Sequence, residues 1–163
     1  MYTYVIIDDE PLIRRGTKKK LEPLSHLLTC CGEASDGREG LELVRQLKPD
    51  IVILDMQMPV MDGTELLPAL SEEFPSTALI VISGFQNFDY MKQAISSKVI
   101  DYILKPFSKD EIQQTVLKTI DSLKDKEAED HHLTSMVQEK EEAFYSLDFA
   151  PECTAFHSCF QPV

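Results

Sequence analysis

Positive charge is scarce in this chain: 16 Lys and Arg stand against 28 Asp and Glu over 163 residues, a formal net charge of -12. A surface this acidic repels phosphate backbones, so no direct nucleic-acid binding by this chain is expected. Long apolar runs are missing too. None approaches the roughly 20 residues that span a bilayer, which argues against a membrane role. The opening MYTYVIIDDE has neither the basic flank nor the small-residue cleavage site of a secretory leader, and a cytoplasmic protein is expected. Cysteine is sparse, with four in all. Cys30 and Cys31 lie in a stretch that reads as a strand, where free thiols behave as small hydrophobes. Cys153, His157 and Cys159 form C-x3-H-x-C, which offers three ligands where structural zinc takes four. Neither pair implies a disulfide scaffold.

What is present is a regular alternation of apolar strands and amphipathic helices. Hydrophobic residues make up 43% of the chain, enough for one sizeable core. Tyr2 to Ile7, Leu27 to Ala34, Ile51 to Leu54, Ala78 to Ile82 and Val99 to Leu104 read as strands, the third an unbroken apolar run typical of a parallel sheet interior. Helices are expected after each. The first opens at Pro11, a residue suited to a first turn, with Leu12, Ile13, Leu21 and Leu24 inward and Arg14, Arg15 and Lys18 to Lys20 towards water. The second follows Asp36-Gly37 with Leu41, Leu43, Val44 and Leu47 at helical spacing. The third runs from Thr64 to Phe74, with Pro68 as a local conflict softened by its nearness to the first turn. The last two cover Asn87 to Ser97 and Ser108 to Leu123. Five such units with short links predict an α/β fold, a flavodoxin-like (βα)5 doubly wound parallel sheet of strand order 2-1-3-4-5.

In such a sheet ligands gather at the carboxyl ends of the strands, beside the switch point between strands 1 and 3. Asp8 and Asp9 end the first strand, Asp55 the third, Ser83 the fourth and Lys105 the fifth. Taken singly these are ordinary residues: a solvated acidic turn, a capping hydroxyl, a surface lysine. Together they are a chemical set. Three carboxylates in one cleft repel unless a cation neutralises them, and a hard divalent ion such as Mg2+ suits such oxygen ligands while keeping waters that a phosphate can displace. Lys105 adds an ammonium and Ser83 a hydroxyl donor, so the set fits a phosphoryl group arriving at a carboxylate nucleophile.

The sequence resembles the receiver domain of two-component response regulators over about residues 1 to 122. The likeness rests on Asp8-Asp9, on Asp55 followed by MPVMDG, on Ser83-Gly84 and on DYILKPF from Asp101 to Phe107. DDEPLIRRG and SGFQNFDYMKQAI look most like regulators that join a receiver to an AraC-type helix-turn-helix half, and no such half is recognisable in this chain. The resemblance implies that Asp55 accepts a phosphoryl group from a phosphohistidine on a sensor histidine kinase, controlling an output such as transcription. It implies direct Mg2+ binding by Asp9, Asp55 and the backbone carbonyl of Gln57, with Asp8 acting through water. Lys105 would contact the phosphoryl oxygens, Ser83 would move to bond one of them, and Tyr102 matches the switch aromatic. It also suggests a cis peptide at Lys105-Pro106. The chain would then be no enzyme, beyond slow self-dephosphorylation, with Phe85 and Gln57 at the rim where the hydrolytic water approaches. Val60, where glycine is commoner, and Pro68 depart from the pattern.

Two other classes fit the fold less well. A flavin-nucleotide carrier wants a Ser/Thr/Gly-rich phosphate cradle after strand 1, where DDEP stands. An Asp-nucleophile phosphatase wants a second Asp two residues after the first, where Gln57 stands. A receiver used only for interaction or dimerisation is separated from the main reading by phosphate uptake. Residues 1–123 are expected to form the receiver. Residues 124–163 are expected to be an acidic helical extension or linker with a tail from Pro151, since residues 121–163 carry ten acidic and three basic side chains. Leu133, Met136, Val137 and Phe144 form a sparse stripe that could pair with a second copy, and a homodimer through the helix 4, strand 5, helix 5 face is the other possibility.

Overall fold

In the computed structural model residues 1–84 and 86–147 are described, with side chains as far as residue 139. Phe85, Cys153, His157, Cys159 and the segment from Pro151 lie outside the described residues, as does the side chain of Phe144. Five strands, β1 (Tyr2–Ile7), β2 (Leu28–Ala34), β3 (Ile51–Leu54), β4 (Ala78–Ser83) and β5 (Asp101–Leu104), pair in parallel in the order β2-β1-β3-β4-β5. Each is followed by a helix: α1 (Pro11–Leu21), α2 (Gly37–Leu47), α3 (Gly63–Glu73), α4 (Phe88–Ser96) and α5 (Lys109–Leu147). This is the doubly wound sheet expected from the strand and helix pattern.

The period-2 alternation of the strands sorts side chains onto two faces. Tyr4, Ile6, Ile51, Ile53, Ile80, Ile82 and Ile103 pack with Leu21 of α1 and with Ile112, Val116 and Ile120 of α5. Val5, Ile7, Val52, Leu54, Leu79 and Val81 pack with Leu41 and Val44 of α2 and with Leu66, Leu67 and Leu70 of α3. Side-chain caps start four of the described helices, the Ser108 hydroxyl accepting from the Glu111 amide at the head of α5. The Asp36, Asp62 and Asn87 side chains accept from the amides of Glu39, of Thr64 and Glu65, and of Asp89.

Several details differ from the sequence pattern. Leu12, expected inside, is 75% exposed. It lies nine residues before buried Leu21, and at about 100° per residue that places it on the opposite side of the helix. Arg14, expected in water, turns inward and is only 17% exposed. Lys20 also turns in, donating to the Phe107 carbonyl at 2.7 Å with its ammonium 4.1 Å from the centre of that ring. Leu47, expected inward, is 42% exposed, resting over Gly32 at the β2 edge. β5 begins at Asp101 rather than Val99, because Lys98 takes a left-handed turn (φ 55) and the Val99 amide bonds back to Ala94.

Pro68 sits well inside α3 rather than near its first turn, so it removes a bond to the Thr64 carbonyl. The helix persists because Leu66, Leu67 and Leu70 are fully buried around it.

One compact unit spans Met1–Leu123 and a second starts at Lys124. In the second, Leu133, Met136 and Val137 are exposed. Among the described residues no helix is long and apolar enough to cross a membrane.

Candidate functional site

β1 and β3 lie side by side with Ile7 paired to Leu54, so the residues that follow, Asp8 and Asp55, emerge together at the carboxyl edge. The backbone holds both: the Asp55 amide donates to the Ile7 carbonyl at 2.9 Å and the Asp8 amide to that of Ala34 at 3.1 Å. Ser83 and Leu104 are paired at the ends of β4 and β5, and the Lys105 amide donates to the Ser83 carbonyl at 2.8 Å. The Lys105–Pro106 peptide is cis. The sheet thus brings Asp8, Asp55, Ser83 and Lys105 to one edge from four strands.

Lys105 is the hub. Its ammonium donates to Asp8 Oδ2 at 2.8 Å, to Asp55 Oδ2 at 3.1 Å and to Glu10 Oε1 at 3.3 Å. Asp8 is buried and its Oδ1 accepts from the Glu10 amide at 2.8 Å, whereas Asp9 is exposed at the cleft rim. Asp55 is 5% exposed, and its Oδ1 is buried without a hydrogen-bond partner. The Gln57 amide is near enough to favour the charged carboxylate but does not complete a bond to that oxygen. A cleft of about 490 Å³ opens over these groups, lined by Asp9, Glu10, Asp55, Gln57, Gly84 and Lys105.

The electrostatics follow from crowding. Burial pushes the Asp55 carboxyl above its ordinary pKa; the Lys105 ammonium opposes this and the Asp8 charge adds to it. Burial acts to lower the Lys105 ammonium, but the bond to Asp8 and the charge of Asp55 outweigh it and the net direction is upward. Asp8, Asp9, Glu10 and Asp55 each offer one oxygen, all within 4.8 Å of one another. This all-oxygen set, with an orphaned buried oxygen on Asp55, fits a hard divalent cation.

Glu10 belongs to this set although the sequence alone does not single it out. Its place directly after Asp8-Asp9 was the available signal, but a helix start at Pro11 gave no reason to expect its side chain to reach Lys105. Ser83 is fully buried, and Tyr102 is half-buried against the core on the α2–α3 face. Gln57 donates from Nε2 to the Tyr90 hydroxyl at 3.5 Å, linking the rim to α4.

The loop after β3 is shaped by close approach. The Gly63 amide donates to the Met56 carbonyl at 2.9 Å, and a Cβ at Gly63 would stand 2.7 Å from Met56 Cα, so only glycine fits. Val60 has φ 69 and is 70% exposed. That left-handed conformation is the physical reason a glycine suits the position.

The chain belongs to the response regulator receiver domain family, whose model matches residues 4–117. An uncharacterized response regulatory protein of Staphylococcus epidermidis is 32% identical over 163 residues, covering 100% of this chain and 56% of the relative. The transcriptional regulatory protein YesN of Bacillus subtilis is 35% identical over 152 residues, covering 93% of this chain and 40% of YesN. Among solved structures, the receiver domain of AraT, a response regulator from Geobacillus stearothermophilus, superposes with a TM-score of 0.72 at 33% identity, over 77% of this chain and 98% of that one. The receiver domain of the NarL regulator of Mycobacterium tuberculosis gives a TM-score of 0.66 at 33% identity, over 76% and 96%. The chain therefore spans about half the length of the curated relatives it matches.

Proposed function

We propose that this chain is the phosphoryl-accepting part of a longer response regulator, taking its phosphoryl group on Asp55 from a phosphohistidine of a sensor histidine kinase in the cytoplasm. The observation that carries this is the state of Asp55: a buried carboxylate with one oxygen on Lys105 and the other unpartnered beneath an open cleft. Asp9, Asp55 and the Gln57 carbonyl would hold Mg2+, with Asp8 acting through water. When bound, the ion supplies positive charge that lets the carboxylates and an incoming phosphoryl group approach one another. The Asp55 carboxylate forms an O–P bond as the N–P bond to the donor imidazole breaks, and the imidazole takes up a proton. Lys105 is held in place by its backbone bond to Ser83 and offers its ammonium to the phosphoryl oxygens.

In this reading the chain is an acceptor rather than an enzyme, losing phosphate only slowly. Ser83 and Tyr102 form the switch, and the output lies in the part of the regulator outside this chain, of the AraC-type helix-turn-helix class. A second copy could dock on the α4 face, where Phe88, Met91 and Ile95 are exposed at helical spacing, or along the extension after Leu123.

Incubation with acetyl phosphate or phosphoramidate and Mg2+ should add one labile phosphoryl group, read by intact mass. Asp55→Asn should abolish it. Equal labelling of both proteins would overturn the assignment.

A further inference from the structure

The IRRG run that follows the acidic turn has no part in the reading above, yet its first arginine touches the site. Arg14 Nη1 donates to the main-chain carbonyl of Asp8 at 2.5 Å, and Nε donates to Glu33 Oε2 at 3.2 Å. Glu33 lies on β2, where it pairs with Ile6 of β1 just before the turn. Lys18, one helical turn beyond Arg14, grips the other Glu33 oxygen. Those bonds keep the Glu33 carboxylate charged, its pKa lowered chiefly by the Lys18 bond. Glu33 is thus a fixed post, and the guanidinium bridges it to the turn.

The bridge matters because of what else holds that turn. Past the last strand bond, from the Asp8 amide to Ala34, the Asp8 carbonyl has left the ladder. Arg14 takes it. Both oxygens of the Asp8 side chain are committed within the protein, Oδ1 to the Glu10 amide and Oδ2 to Lys105. Asp9, between them, presents its carboxylate from an exposed position on the cleft.

We propose that Arg14 is the positioning residue of the acidic turn: bonded to the Asp8 carbonyl and anchored on Glu33, it fixes where Asp8 and Asp9 present their carboxylates and so sets the turn's affinity for a divalent cation. The proposal rests on the cation-dependent reading of the cleft given above. It requires arginine, since a lysine has no planar fork with which to bond the carbonyl and the carboxylate together.

Charge and geometry act here with opposite signs. Removing a cation beside four carboxylates should by itself tighten Mg2+ binding, whereas loosening the turn should weaken it. Partners that orient metal ligands are typically worth about tenfold or more in affinity. Titration of the full chain with Mg2+ alone, by calorimetry, should therefore show Arg14→Gln binding about tenfold more weakly, with Arg14→Lys displaced the same way despite keeping the charge. Arg15→Gln, the same charge change at an exposed neighbour, should leave the affinity unchanged or slightly tighter. Amide exchange at Asp9 and Glu10 without metal should quicken in Arg14→Gln, and if that variant does not fold, Arg14→Lys carries the test. Unchanged or tighter binding by the Arg14 variants, or equal weakening by Arg15→Gln, overturns the role of Arg14 and leaves the cation reading standing. A wild-type chain that binds no Mg2+ overturns both.

Discussion

Val60 offers a test of the loop behind Asp55 that needs neither metal nor donor. A left-handed backbone costs an L-residue roughly 1–2 kcal/mol, and the branched Cβ of valine belongs at the upper end of that range. Glycine removes this cost but returns about 0.5–1 kcal/mol through the entropy of the unfolded chain. Burial hardly enters, since Val60 is 70% exposed. Val60→Gly should therefore stabilise the fold by about 1 kcal/mol, a rise of roughly 4 °C in melting temperature for a unit of this size. Thermal unfolding followed by circular dichroism reads it directly. Lys48→Gly and Lys98→Gly, at φ 45 and 55 with unbranched side chains, are the comparators and should gain less. A Val60→Gly chain that melts no higher than wild type would refute the strained loop.

Two further outcomes follow from the cleft. The folded chain holds the Asp55 proton more tightly than the unfolded chain, so wild-type stability is lost as pH rises from the unfolded carboxyl's pKa through the higher folded one. Asp55→Asn, without divalent ions, should melt above wild type at pH 7, with the gap closing below about pH 4; no gap at pH 7, or one that widens on acidification, would contradict the burial account. Ser83→Ala should still take up phosphate on Asp55 but no longer transmit it to the face around Tyr102. Amide exchange along β5 with and without beryllofluoride measures this, and an undiminished response would break the proposed coupling.

The sequence carried the sheet because strand alternation and strand ends are local signals. Ile51 to Leu54 announced a buried parallel strand, and the carboxylates, the serine and the lysine stood directly after such runs. What it did not carry depended on helix phase and on contacts across the chain. The sequence pattern puts Leu12 and Arg14 on opposite sides to those they take because a few residues at the start of α1 do not fix its rotation; Leu21 and the sheet do. Lys105 meets Glu10 from 95 residues away, a meeting no local pattern encodes. The glycine preference at the Val60 position was visible as a departure, but its cause, a positive φ, is a property of the folded loop.

The cleft is an arrangement the fold tolerates rather than one that stabilises it. Four carboxylates crowd together, three of them on one ammonium, and a buried oxygen of Asp55 goes without a partner. Such a group costs on the order of 1–3 kcal/mol, and the two cores that grip β1 and β3 from either side are what hold it there. The same deficit supplies responsiveness. In the proposed reading, an arriving cation and phosphoryl group relieve crowding and compete for Lys105, and a ligand shifts a conformational equilibrium only by its difference in affinity for the two states. A site already satisfied would leave nothing for the phosphoryl group to change. The cost that Asp55 imposes on folding is, on this view, the same quantity that makes its modification legible to Ser83 and the β5 face.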